Sequence, residues 1–201
     1  MRLFFASPSP FVRKVMVCAF ELGLEDRIER LSAAAHPIDR DMAIVAENPL
    51  GKVPTLLTNE GIALFDSRVI CEYLADKAGS DMLFPNGPAR WTALRDQALA
   101  DGLLDAAILA RYEHIMRPEE LVWQRWSDGQ IAKIESALDH LAEGAAALAG
   151  RIDIGTISIG CALGYLDFRF AHLNWRLGRG GLAEWFEMFS RRPSMEASRP
   201  F

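Results

Sequence analysis

Three short stretches of this 201-residue chain carry residue types that bind or activate small ligands. In "SPSPFVRKV", Ser9 stands directly before Pro10 at the start of a helix-like pattern. A serine at the N-cap with proline in the first helical position satisfies an orphan amide, and the missing proline N–H costs nothing there. The same hydroxyl then lies beside unpaired amides at the positive end of the helix dipole, which favours negative charge. Plain capping accounts for most such starts, and Ser7 competes for the role from two residues further out.

The second stretch is "NPLGKVPTL", where Val53-Pro54 opens a strand. Proline is tolerated in a strand only at an edge or a start. A cis Val53–Pro54 bond would turn the Val53 N–H and C=O outward for an extended peptide ligand; an ordinary trans edge proline would not. The third stretch is "FDSRVICEYL", in which Asp66 or Ser67 caps the following helix. Either residue serves as a plain cap, or the two hold an ammonium and a carboxylate together. In that case the helix amides take the carboxylate and Asp66 takes the ammonium.

The elements that must position these residues follow from periodicity. "RLFFA" reads as a buried strand, and "RIERLS" as a second one with Ile28 and Leu31 alternating against charges. Between them Val12, Val15, Met16, Ala19, Phe20 and Leu22 follow helical spacing up to Gly23. "DRDMAIVAENP" predicts a short helix, "VPTLLTNEGIALFD" a hairpin, and "SRVICEYLADKAG" a helix closed by Gly79. The order is β-α-β-α-β-β-α over residues 1–79, an α/β layer. A linker with two prolines follows over 80–89, and 90–201 reads as an all-helical domain.

Half of the residues are hydrophobic and the net charge is −5, so no global positive field recruits nucleic acid. No run approaches the ~20 apolar residues that span a bilayer, so no membrane partner is expected. Three scattered cysteines, none in a CxxC pair, suit a reducing compartment. With no secretory signal expected at "MRLFFASPSP", the sequence reads as cytoplasmic. The four histidines have no ligand spacing among themselves or with cysteines, and no metal is expected.

In this order and inside this fold, "SPFVRKV", "NPLGKVPTL" and "FDSRVICEYL" resemble the matching parts of soluble, cytosolic-type bacterial glutathione S-transferases. "LGYLDFR" and the terminal "RPSMEASRP" extend the resemblance over nearly the whole length. It implies a thioredoxin-like glutathione-binding domain followed by a helical domain that contributes the electrophile pocket. By the same resemblance Ser9 is the catalytic residue, donating a hydrogen bond to the glutathione thiolate. A free thiol titrates near ~8.5, and lowering that by two units takes ~2.7 kcal/mol, within reach of one hydroxyl and a helix end.

The resemblance further implies that Val53 and Pro54 hold the cysteinyl backbone of glutathione, that Asp66 and Ser67 grip its γ-glutamyl end, and that Lys52 meets the glycine carboxylate. Phe11, beside Ser9, counts with the cosubstrate site and, together with Tyr112, with the electrophile pocket. The implied protein is a homodimeric, detoxifying transferase that uses glutathione as cosubstrate and no metal. Ser9 stands where redox relatives of the fold carry a cysteine, which disfavours a mixed-disulfide mechanism. Two other readings keep the fold: a glutathione-dependent isomerase, dehalogenase or peroxidase, and a non-catalytic glutathione-binding or scaffolding protein.

Other residues receive plainer readings. Arg13 and Lys14, early in the first helix, are expected to be solvated. Asp101, Asp105, Ile108 and Tyr112 share one helical stripe opposite Leu103, Ala106 and Ala110, with the two acids either facing a cleft or in solvent. The five tryptophans read as packing residues. "DIGT" reverses the family's helix-start polarity, with Asp153 first and Thr156 three residues on. Thr156 is not expected to reach back as a carboxylate does, so some local stability should be lost.

Overall fold

The computed structural model describes residues 1–200 and puts the aromatic run near the amino terminus in β1 (Arg2–Phe5). With β2 (Glu29–Ser32), β3 (Thr55–Leu57) and β4 (Ala63–Leu64) it forms a sheet of order β2-β1-β3-β4. β1 and β2 are parallel and are joined through α1 (Pro10–Glu21), while β3 is antiparallel to β1 and β4 to β3. Alternation along the strands divides the core between two faces. Leu3 and Leu56 are register partners and fully buried on one face. Phe4 and Leu57 turn to the other and pack with Ile44 of α2 (Met42–Glu47). α3 (Ser67–Ala78) packs on α1 and ends at Gly79 in the left-handed conformation.

The chain forms two compact units, Met1–Arg90 together with the residues from Arg192 onward, and Trp91–Arg191. The terminal residues therefore group with the sheet unit, where the sequence reading had placed them in the helical domain. The reason is α8 (Pro193–Ala197), which packs on α1. Arg192 donates to Glu21 at 2.9 and 2.7 Å, and Ser194 adds a third bond to the same carboxylate. Near the other end of α1, the Arg13 guanidinium donates to the Met195 carbonyl at 3.1 Å.

That docking corrects the expectation of solvated cations on α1. Arg13 is buried, and Lys14 is wholly inaccessible, with its ammonium 5.6 Å from the Phe11 ring centroid. Local periodicity marks these positions as polar. The residues that cover Arg13 lie some 180 positions away in sequence, and a long lysine stem packs well against apolar neighbours.

The helical unit contains most of α4 (Pro88–Ile115), with α5 (Gln124–Glu143), α6 (Ile154–Arg169) and α7 (Gly180–Ser190). α6 is buried without interruption from Ile154 to Leu163, the mark of a central helix. Gly155 permits its close contact with α4, since an added Cβ would lie 2.7 Å from the Asp96 Cβ and 2.8 Å from the Ala93 carbonyl oxygen. Trp175 and Trp185 pack in the core as expected, but Trp91 and Trp123 stand 70% and 62% exposed. The acidic stripe on α4 also divides, with Asp101 buried and Asp105 exposed.

The reading of "DIGT" is corrected as well. Asp153 caps α6, and the Thr156 hydroxyl does reach back to the Asp153 amide, completing a reciprocal box. A hydroxyl suffices because Thr156 is fully buried and the Arg151 guanidinium, 2.9 Å from Asp153 and 2.9 Å from Asp96, already balances the carboxylates.

Candidate functional site

Strand register brings the three sequence stretches to one end of the sheet. β1 runs toward that end and finishes at Phe5, with three residues between it and the Ser9 cap. β3 is antiparallel, so Pro54, just ahead of Thr55, starts there. β4 is antiparallel to β3 in turn, so Leu64 leads through Phe65 to Asp66 and Ser67 at the same end. α1 and α3 both begin here, and their positive ends share the region.

At the start of α1 the Ser9 hydroxyl oxygen accepts the Val12 amide at 3.3 Å, and Pro10 follows in the first turn. Accepting one hydrogen bond leaves the hydroxyl hydrogen free to donate, so capping and ligand contact are compatible in one residue. Ser9 is half-buried, as is Phe11 in the same turn. At the start of α3 the Asp66 carboxylate accepts the Arg68 amide at 2.9 Å. The amides of Ser67 and Val69 meet no acceptor among the described residues, and Ser67 is only 3% exposed. Such a helix entrance suits a carboxylate, while exposed Asp66 can face a cation.

The Val53–Pro54 bond is cis, as is Phe65–Asp66. The Val53 side chain packs against the Phe4–Ile44–Leu57 cluster. Its backbone N–H and C=O make no hydrogen bond to another described residue, which leaves them open at the same sheet end as Ser9. Lys52, next in line, has an exposed side chain. Tyr112 lies on α4 in the helical unit, half-buried. Among the described residues no group of three His, Cys, Asp or Glu side chains is arranged to hold a metal.

Asn48 is a site-organising residue that the sequence reading passed over. Its Nδ2 donates to the Lys52 carbonyl at 3.2 Å and to the Thr55 hydroxyl at 2.9 Å, and its Oδ1 accepts the Leu50 amide at 3.0 Å. Gly51 follows at φ 63, where an added Cβ would lie a tight 3.2 Å from both the Nε of Arg40, whose guanidinium donates to the Pro49 carbonyl, and a Val45 methyl. The signal was the Asn-Pro dipeptide itself, a turn initiator whose short amide can bond its own loop.

Comparison with known proteins agrees with this geometry. Residues 8–77 match the family described as Glutathione S-transferase, N-terminal domain, and residues 124–187 match Glutathione S-transferase, C-terminal domain. The uncharacterized GST-like protein YibF of Escherichia coli (strain K12) is 34% identical over 212 residues, spanning 100% of this chain and 98% of its own. A glutathione transferase family member from Pseudomonas fluorescens Pf-5, crystallised with bound glutathione, is 46% identical with a TM-score of 0.96, covering 100% of this chain and 98% of that one. A crystal structure from the same source with bound S-(propanoic acid)-glutathione gives 45% identity and a TM-score of 0.91, with 100% of both chains covered.

Proposed function

The chain belongs to the glutathione S-transferase family, and from that premise we propose that it binds glutathione and activates its thiol for transfer to a small electrophile. One observation carries the reading: the Ser9 cap, the open Val53 backbone and the α3 entrance share one end of a four-stranded sheet. The glutathione bound to the Pseudomonas relative supports the choice of ligand.

In this reading the cysteinyl amide and carbonyl of glutathione pair with Val53 beside Pro54. The γ-glutamyl carboxylate takes the Ser67 amide and hydroxyl, its ammonium meets Asp66, and the glycine carboxylate meets Lys52. The sulfur then rests near Ser9 and Phe11 at the positive end of α1. The Ser9 hydroxyl donates to the sulfur anion, the thiol proton passes to solvent, and the thiolate attacks the electrophile. The family reading extends to a cytoplasmic homodimer, which light scattering tests directly.

The decisive measurement is thiolate absorbance of bound glutathione against pH. Ser9→Ala should raise the bound thiol's pKa by about 1–2 units, the equivalent of one hydrogen bond to a charged group. An unmoved titration removes Ser9 from the reaction, and failure to bind millimolar glutathione overturns the function itself.

A further inference from the structure

Arg40 stands between two acids, Asp39 and Asp41, in the loop from β2 to α2, and pairs with neither. The Asp41 carboxylate accepts the Ala34 amide at 3.3 Å and, as the cap of α2, the Ala43 amide at 3.0 Å. The Asp39 carboxylate lies 3.6 Å from the His36 Nδ1. The Arg40 guanidinium reaches past both acids to the following loop and donates to the Pro49 carbonyl. An exposed arginine directed at a backbone carbonyl, with carboxylates on either side of it in sequence, is explained by what it holds.

The loop that carries Arg40 is itself fixed. His36 Nδ1 accepts the Ile38 amide at 3.3 Å and the Asp39 amide at 2.9 Å. Together with Asp41, two side chains thus engage four amides between residues 34 and 43. Much of the entropy of this loop is therefore lost on folding, and Arg40 projects from a stiff base.

What Arg40 holds is the turn that leads into Val53. Asn48 organises that turn from within: its carbonyl accepts the Gly51 amide at 2.8 Å, and its side chain bonds the Leu50 amide and the Lys52 carbonyl. The Thr55 hydroxyl donates to the same Lys52 carbonyl at 2.8 Å. Gly51, between these anchors, is the residue about which the loop can swing, because glycine passes between positive and negative φ without a steric penalty. Arg40 Nε and the Val45 methyl occupy the space on its Cβ side, while the guanidinium fastens Pro49 two residues earlier. Every part of this device lies within the sheet unit.

Resting on the transferase reading above, we propose that Arg40 is a positioning residue for glutathione: it clamps the Pro49–Gly51 turn so that the Val53 N–H and C=O stay presented before the ligand arrives. An edge ordered in advance spares the ligand the cost of ordering it. Arg40 acts through the backbone, whereas Lys52 acts through its charge.

The test is calorimetry with glutathione and with its glycine ethyl ester, in which the glycine carboxylate is capped, at about 0.5 M salt to screen charge acting at a distance. Arg40→Met should weaken both ligands by the same factor, about five-fold. Arg40→Lys, with a single ammonium in place of the fork, should recover part of the loss for both. A loss confined to the free acid would mean direct contact with the glycine carboxylate and overturns the proposal, as does full affinity for both ligands. A second measurement needs no glutathione. In the free protein, Arg40→Met should speed hydrogen exchange of the Leu50 and Gly51 amides about five-fold or more, with the Arg68 amide at the α3 entrance unchanged. Unchanged exchange at Leu50 and Gly51, or faster exchange throughout the sheet unit, overturns the clamp. Faster exchange confined to the turn, in a protein whose wild type binds no glutathione, upholds the clamp and discards the transferase reading, so the two failures are distinguishable.

Discussion

Asp153 and Thr156 cap α6 reciprocally: the Asp153 carboxylate accepts the Thr156 amide at 3.0 Å, and the Thr156 hydroxyl accepts the Asp153 amide at 3.0 Å. Both bonds are buried. Thr156→Val keeps the shape and removes one of them, and should cost about 1 kcal/mol, while Asp153→Ala should cost about 2 kcal/mol because Arg151 also loses a partner. Urea unfolding of both single variants and the double variant should show coupling, since each bond presents the partner for the other. Strict additivity would mean that the two caps act independently.

Gly155 sits between those residues and meets α4 directly. An alanine there would press its Cβ to 2.7 Å from the Asp96 Cβ and 2.8 Å from a backbone oxygen, neither of which is the far end of a flexible side chain. The helices must move apart, so Gly155→Ala should cost at least about 2–3 kcal/mol in urea unfolding. A loss below half a kcal/mol would show that the α4–α6 contact is looser than this geometry.

What the sequence made legible was local. Ser9-Pro10, Asp66 and Gly79 announce helix ends because a cap is a matter of one side chain and the next turn. The chemistry of the three stretches was readable for the same reason. Arg13 was not, because its partner Met195 lies at the far end of the chain and leaves no periodic trace beside it. Asn48 was hidden by its ordinariness, since its amide is spent on backbone within its own loop.

Glu21 makes the docking of α8 sensitive to acid. Burial raises its pKa, yet the hydrogen bonds from Arg192 and Ser194 together outweigh that and leave it lowered from 4.5. A carboxylate with a depressed folded-state pKa stabilises above its unfolded value and loses that contribution as pH falls through the folded value. Glu21→Gln should therefore cost about 1–2 kcal/mol at pH 7, and the gap to the wild type should narrow progressively as pH falls below 4.5. Melting temperatures of the two proteins at pH 7, 5 and 3.5 check this. A gap that stays constant across the series would mean that the ion pair contributes nothing.

Asn48 and Lys52 separate the shape of the glutathione loop from its charge. Asn48 is 1% exposed and spends its side-chain amide within the loop, twice as donor and once as acceptor. Its removal leaves the Leu50 amide and the Lys52 carbonyl each without one partner, and the edge at Val53 loses its anchor. Asn48→Ala should cost about 2–3 kcal/mol of stability and weaken glutathione binding about ten-fold, measured by calorimetry at a temperature where the variant is folded. Lys52→Ala removes an exposed ammonium without touching these bonds, so it should leave stability within about half a kcal/mol of wild type and weaken glutathione alone, more so at low salt. The contrast is diagnostic: a Lys52 variant that melts early, or an Asn48 variant that binds glutathione with full affinity, would reverse the roles assigned to the two residues.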